Sequence, residues 1–241
     1  MRVDSGLPDF RGKQDFSQSY PALARANLDF SEVASPQTFQ RDPYLAWGFY
    51  GHRLVLYRET IPHRGFKILR QIGNRMALGM RIFTSNVDGQ FQRAGFLDET
   101  IHECHGSIHH LQCTNSCDSG IWSADHIQPI VDMDTCTMVS ELPSCRTGGS
   151  LARPNVLMFN DHGWVEDRAN RQISQEATWL GSLIEVGARV VVIERGAGTS
   201  IPSVRQSGSS VTVSVRLWMR ASSASIHASF KYLLQRMSVW P

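Results

Sequence analysis

Cys113-Thr-Asn-Ser-Cys117 sets two thiolates four positions apart, an acceptable spacing for half of a tetrahedral zinc site. The five cysteines, Cys104, Cys113, Cys117, Cys136 and Cys145, all fall in one middle section. Their number is odd, and disulfides are unusual in a reducing compartment, so the clustering points to a metal ahead of the alternative, chance. His105, followed by Gly106-Ser107, offers an imidazole that titrates near neutrality and suits proton abstraction from a hydroxyl. The alternative is a buried, satisfied histidine, which is the better reading of the nearby His102, His109 and His110. In Ser85-Asn86-Val-Asp88 the two short polar side chains either reach a ribose or make an Asx-type turn.

Three further groups are weaker alone. Asp9-Phe10-Arg11 lies on a loop bounded by Gly6, Pro8 and Gly12. Such a loop is either a surface turn or a flap whose aromatic and guanidinium close over a dinucleotide and exclude water. Tyr50 and Arg53, three apart, share one helix face. An arginine there can grip a carboxylate bidentately while the tyrosine adds a hydrogen bond; the alternative is a core Tyr50 and a surface Arg53. Gly196-Ala-Gly198-Thr199-Ser200 is a glycine-rich turn whose value lies in following an apolar strand.

The elements that must position these residues can be read from period and punctuation. Residues 1–16 read as loop. Asp42-Pro43 caps and starts a helix to about Arg58, with Trp47, Tyr50, Leu54 and Tyr57 at helical spacing. Pro62 begins another helix, with Phe66, Leu69, Ile72 and Met76 on one face and Gly79 as its stop. Met80–Thr84 is a short strand running into Ser85. Glu166–Val186 is the clearest helix, striped by Ile173, Ala177, Leu180 and Ile184 and stopped by Gly187. Arg189–Glu194 is an apolar strand of the kind covered on both faces. The strand–loop–helix alternation predicts a parallel α/β sheet, with ligands at the carboxyl ends of its strands. The Ser-rich stretch 203–225 has no clear period, and no acidic residue follows Glu194. A solvated basic tail is one reading of it, a divergent carboxyl end the other.

Composition narrows the class. With 241 residues, 41% hydrophobic and 19% charged, the chain is globular, of a size for one domain with an inserted module. A formal charge of +2 implies no strong field for nucleic acid or membrane surfaces. No apolar run reaches the ~18 residues of a span, and Met1-Arg-Val-Asp lacks a signal-peptide core, so a cytoplasmic protein is expected.

Taken in chain order, SGLPDFRG, Thr84-Ser-Asn-Val-Asp88, His105-Gly-Ser107, the Cys113/Cys117 knuckle and the late Gly-Ala-Gly-Thr-Ser resemble the sirtuin family. Sirtuins are NAD-dependent protein-lysine deacylases, and the resemblance covers roughly residues 1–205. It implies a Rossmann-like parallel sheet with helices on both faces, a small zinc-ribbon-type module and a helical insertion. The implied division is 1–16, 60–107 and 150–241 for NAD binding, 17–59 for the helical module and 108–149 for the zinc module. It implies removal of acetyl, or succinyl or malonyl, groups from lysine of acylated peptides, yielding nicotinamide and O-acyl-ADP-ribose. A binding-only relative that holds acyl-peptide or ADP-ribose without turnover is the alternative, and a plain zinc module the remote third.

By the same resemblance His105 is the base, with Asn86 and Asp88 orienting the nicotinamide ribose and a water. Asp9, Phe10, Arg11, Ser85, Gly196, Gly198 and Thr199 contact the cofactor, and Tyr50 and Arg53 select an acidic acyl group. Cys113, Cys117 and Cys145 hold structural zinc, but Gly148 stands where the family has its fourth cysteine. Cys136, His126 or a water is the expected substitute. Asn160, in Phe159-Asn-Asp161, replaces the glycine of the segment that pairs with substrate peptide. The family's opening apolar strand and Gly-Ala-Gly turn do not precede Ser5, so a truncated or degenerate copy is a further expectation. Val215-Arg-Leu-Trp218 is the nearest match to the family's late strand and lacks its asparagine.

Overall fold

The computed structural model describes residues 3–8, 13–115, 117, 120–195, 203–204, 206–207 and 216–222. After a single 3-10 turn at Val3–Ser5 come α1 (Lys13–Ser19), α2 (Pro21–Arg25), α3 (Phe30–Val33), α4 (Pro36–Arg41), α5 (Pro43–Glu59) and α6 (Arg64–Gly73). The opening segment expected as loop through residue 16 therefore turns helical by Lys13. Strand β1 (Ile82–Thr84), α7 (Gln90–Arg93) and β2 (Ile101–Glu103) precede the longest strand, β3 (Gly106–Cys113). Then follow β4 (Ile121–Ser123), β5 (Val131–Asp132), β6 (Thr137–Met138), β7 (Ala152–Val156), α8 (Asp167–Glu185), β8 (Arg189–Glu194) and β9 (Arg216–Ser222).

Among the described residues parallel pairing joins β1 with β2, in register Ile82 to Ile101, and β8 with β9. The Ser-rich stretch thus supplies a strand, where the sequence had no period to announce it. Antiparallel pairing joins β4–β3–β7 and the small β5–β6 hairpin. Together these make an α/β fold with an antiparallel cysteine-bearing module. Among the described residues no helix is long and apolar enough to cross a membrane.

Helix α5 organises the core. Asp42 caps it by accepting from the Leu45 amide at 2.9 Å, and Pro43 starts it. Trp47, Phe49, Tyr50, Leu54 and Tyr57 are all fully buried, joining Phe16, Tyr20 and Phe39 with Ile108 and Leu111 of β3. The Trp47 indole donates to the Ala152 carbonyl of β7 at 2.8 Å. On the face toward the hairpin, Gly48 lets the two backbones touch: a Cβ there would lie 2.0 Å from the Cys136 carbonyl oxygen.

Three expectations need correction. Helix α6 starts at Arg64 with His63 as its cap, and it ends at Gly73 rather than Gly79. Met80 crosses so close that a Cβ on Gly73 would meet its sulfur at 1.8 Å. On α8 the stripe is displaced: Ile173 and Ile184 are 47% and 53% exposed, while Arg168, Ala169, Gln172 and Leu183 are buried. The buried face carries polar side chains because β2 supplies their partners. Strand β8 is only partly covered: Val190 and Glu194 are buried, whereas Ile193 is exposed.

Candidate functional site

Strands β1 and β2 run side by side in the same direction, so the loops at their carboxyl ends emerge together. The first loop carries Ser85, Asn86 and Asp88; the second carries His105. The Cys104 amide donates to the Thr84 carbonyl at 3.0 Å, which extends the pairing to the residue before His105. The His105 carbonyl accepts from Leu157 at 3.0 Å. Gly106 is required after it. With φ +75° it is left-handed, and a Cβ would lie 2.1 Å from the Asn155 carbonyl of β7. The His-Gly pair is thus a half-buried imidazole mounted on a close backbone crossing.

The first loop is braced from below. Thr84 Oγ1 accepts from the Asn86 amide at 3.1 Å, and Asp88 Oδ1 accepts from the Gln90 amide at 3.0 Å. The Ile108 amide of β3 donates to the Val87 carbonyl. His109 Nε2 lies 3.1 Å from the Asp88 carbonyl, and burial lowers its pKa, so it acts as a neutral brace. Asp88 itself is buried. Ser85 and Asn86 stay half-buried at the loop's outer side.

Sequence reasoning missed what holds β2 in place. The Glu103 amide donates to Gln172 Oε1 at 3.0 Å, and its carboxylate pairs with Arg168 Nη2 at 2.6 Å. His102 Nδ1 meets Glu176 Oε2 at 2.6 Å. Arg168, Gln172 and Glu176 are spaced by four along α8, and that polar repeat was the available signal. Burial raises the Glu103 pKa against the pull of Arg168.

Tyr50 and Arg53 project from α5 into a ring of aromatics. Burial pushes the Tyr50 hydroxyl up to about 12. Arg53, far from being a surface residue, is 4% exposed. Its Nε and Nη2 donate to the Tyr57 hydroxyl at 3.0 and 2.9 Å, and its guanidinium lies 5.1 Å from the Phe49 ring centre. Asn160, which stands where the family has glycine, has φ +54°, a left-handed conformation that asparagine tolerates well. Asp161 faces inward, gripped by Arg153 through two bonds of 2.8 and 2.9 Å.

Cys113 ends β3, Cys117 follows it, and Cys145 lies in the segment that leads back to β7. Their three sulfurs all lie within 4.8 Å of one another, with Cys117 and Cys145 at 3.2 Å. Zinc–sulfur bonds of ~2.3 Å in a tetrahedron place sulfurs ~3.8 Å apart, so the donor set fits three corners of a zinc shell. The Asn115 amide donates to the Cys113 sulfur at 3.4 Å, which orients it. Neither Cys136 nor His126 joins the group. Cys136 is in the core against α5, and burial pushes its thiol up to about 12. Asp9, Phe10, Arg11, Gly196, Gly198 and Thr199 lie outside the described residues.

The family model described as the Sir2 family matches residues 1–194. The chain belongs to the Sir2 family. An NAD-dependent protein deacylase of Pyrococcus furiosus is 32% identical over 162 residues, covering 67% of this chain and 58% of that protein. The chain spans little more than half the length of such curated Sir2 relatives. Among solved structures, a Sir2 homologue in complex with NAD has a TM-score of 0.60 at 22% identity, over 90% of this chain and 73% of that one. Sir2 bound to acetylated peptide reaches 0.60 at 16% identity, over 99% and 90%. These likenesses show the Sir2 fold.

Proposed function

We propose that this Sir2-family chain is an NAD-dependent protein-lysine deacylase. The observation that carries the reading is the emergence of the Ser85–Asp88 loop and His105 from the carboxyl ends of adjacent parallel strands. NAD, when bound, supplies an electrophilic ribose carbon, with nicotinamide as leaving group and the acyl oxygen of the lysine as nucleophile. Asn86 and Asp88, with Ser85, hold the ribose, and the bracing below keeps them in place. The His105 imidazole removes a proton from a ribose hydroxyl. By the family resemblance Asp9, Phe10 and Arg11 close over the cofactor, and Gly196, Gly198 and Thr199 also contact it. Cys113, Cys117 and Cys145 hold a structural zinc.

Tyr50 and Arg53 set the acyl preference toward succinyl or malonyl groups. A guanidinium already fixed by a tyrosine loses little freedom when it meets a carboxylate. Residues 17–59 serve as the helical module, 108–149 as the zinc module, and the remaining segments bind NAD; the protein works on acylated protein in the cytoplasm. The test is nicotinamide release from NAD with acetyl- and succinyl-lysine peptides. His105→Ala should lose at least about 100-fold in rate while keeping its zinc content. Equal rates in the variant would end this mechanism, and bound ADP-ribose without turnover would mark a binding protein instead.

A further inference from the structure

The cysteine cluster offers three sulfur ligands, and the described residues bring no fourth donor of the usual metal-binding kinds to it. Cys113 and Cys145 are buried, while Arg146, Thr147, Gly148 and Gly149 are exposed in the short turn after Cys145. That turn is closed by the Cys145 amide on the Ser150 carbonyl and by the Gly149 amide on the Cys145 carbonyl. Gly148 has no side chain to offer, and a Cβ at Gly148 or Gly149 would meet nothing within 4 Å. Among the described residues, no further cysteine, histidine or carboxylate comes into the group. Cys136, another thiol of this module, has its backbone wedged against Gly48 of α5 and is not in the group.

We infer that the three thiolates form an open zinc site whose fourth position takes an exchangeable donor from solution, a small thiol in preference to water. Zinc imposes no geometry of its own and keeps an exchangeable ligand wherever the protein supplies three. Its softness favours sulfur as the fourth donor. Binding is a ligand exchange: the thiol binds as thiolate, its proton passes to solvent, and the bound water leaves. Arg146, next to Cys145 in the chain, has its guanidinium 5.7 Å from the Trp122 ring centre and adds a positive charge to this turn. This ion would therefore be held less tightly than one with four protein ligands, and its retention would depend on the surrounding thiol. The inference rests on the zinc part of the proposed function and on no step of the NAD chemistry.

The experiment uses the full chain loaded with cobalt(II) as a visible substitute for zinc. Titration with 2-mercaptoethanol should shift the visible absorption of the wild type and saturate. Gly148→Cys should show no shift. Gly148 is not left-handed and has open space around it, so the variant should fold. Loss of a mere supporting partner costs ~10–100-fold in metal affinity, so adding a direct ligand should tighten zinc binding at least about 10-fold, read by chelator competition. A wild-type spectrum indifferent to thiol would overturn the inference, since a protein group would then complete the shell. Failure of the wild type to bind one cobalt per chain would overturn it too. If Gly148→Cys fails to fold, the wild-type titration alone decides. Loss of nicotinamide release with an intact thiol-dependent shift would count against the proposed function and leave this inference standing.

Discussion

Two helices meet the strands that carry the site, and they do so by opposite means. Helix α5 meets β3, β7 and the β5–β6 hairpin through Trp47, Tyr50, Leu54 and two glycines, Gly48 and Gly51, that admit neighbouring backbone and side chains. Helix α8 meets β2 through Arg168, Gln172 and Glu176, which pair with Glu103 and His102. The first seam gains from apolar area and shape, which any well-fitted neighbour supports and which pH does not alter. The second gains only if every partner is present, because one unpaired member leaves a desolvated charge. The catalytic candidate His105 hangs from the second seam and is backed by the first.

The apolar seam should show the larger response to a single truncation. Trp47→Ala removes the biggest buried side chain of α5 and also the donor to the Ala152 carbonyl. A loss of about 4 kcal/mol is expected from chemical denaturation. A cost under ~1 kcal/mol would mean that β7 does not depend on α5. Both Trp47 and the helix that carries it are legible in the sequence. Asp42-Pro43 marks the start, and the aromatic spacing marks the buried face. Gly48 and Gly51 were not legible as contacts, because their partners at residues 129–137 are far away in the chain.

The polar seam should respond next, and differently with pH. Arg168→Ala leaves the Glu103 carboxylate buried beside Gln92 without its cation, at a cost of about 3 kcal/mol. Replacing both partners with Glu103→Leu and Arg168→Met should restore most of that loss, since Arg168 Nη1 has no acceptor among the described residues. The sign of the pH effect follows from burial. The folded Glu103 pKa lies above its ordinary value, so the native state holds the proton longer. Stability from this group is therefore full below the ordinary carboxylate range and declines as pH rises through the raised value. His110 works oppositely. Burial, aided by Arg168, lowers it to about 4, so its contribution is lost as pH falls from about 6.5 toward 4. Denaturation midpoints against pH should separate the two. Glu103→Gln should remove the decline at rising pH and leave the acid-side loss. An unchanged profile in that variant would deny the carboxylate its role.

Much of the site was legible because it is local. Cys113 and Cys117, Asn86 and Asp88, and the His105-Gly106 turn are each contiguous, and the strand before the Ser85 loop is legible as Met80–Thr84; β2 and β3, which lead into His105 and Cys113, are not among the strands read from the sequence. The face of α8 was not legible. Its apolar stripe Ile173, Ala177, Leu180 and Ile184 has the better period, yet Gln172 and Glu176 are turned inward by partners on β2. Periodicity weighs a side chain's own polarity and cannot see a hydrogen bond supplied from 69 residues away. The same blindness hid β9, whose partner β8 lies well before it in the chain, while the burial of Arg53 against Tyr57, one turn further along α5, decides against the surface alternative.

The smallest expected effect tests a residue where local rule and structure agree. Asn160 has φ +54° between Phe159, whose amide donates to the Ala34 carbonyl, and Asp161, which Arg153 clasps. The conformation is imposed by these two anchors, and asparagine accepts it with little strain. Asn160→Gly should therefore shift stability by no more than about 0.5 kcal/mol in thermal or chemical denaturation. Asn160→Val should cost about 1–3 kcal/mol, since a β-branched residue resists the left-handed region. The contrast between the two variants is the diagnostic. If valine were tolerated as well as glycine, the Arg153–Asp161 clasp would not be fixing the turn. The backbone after β7 would then be free to move relative to α3, whereas the apolar seam predicts that it is held.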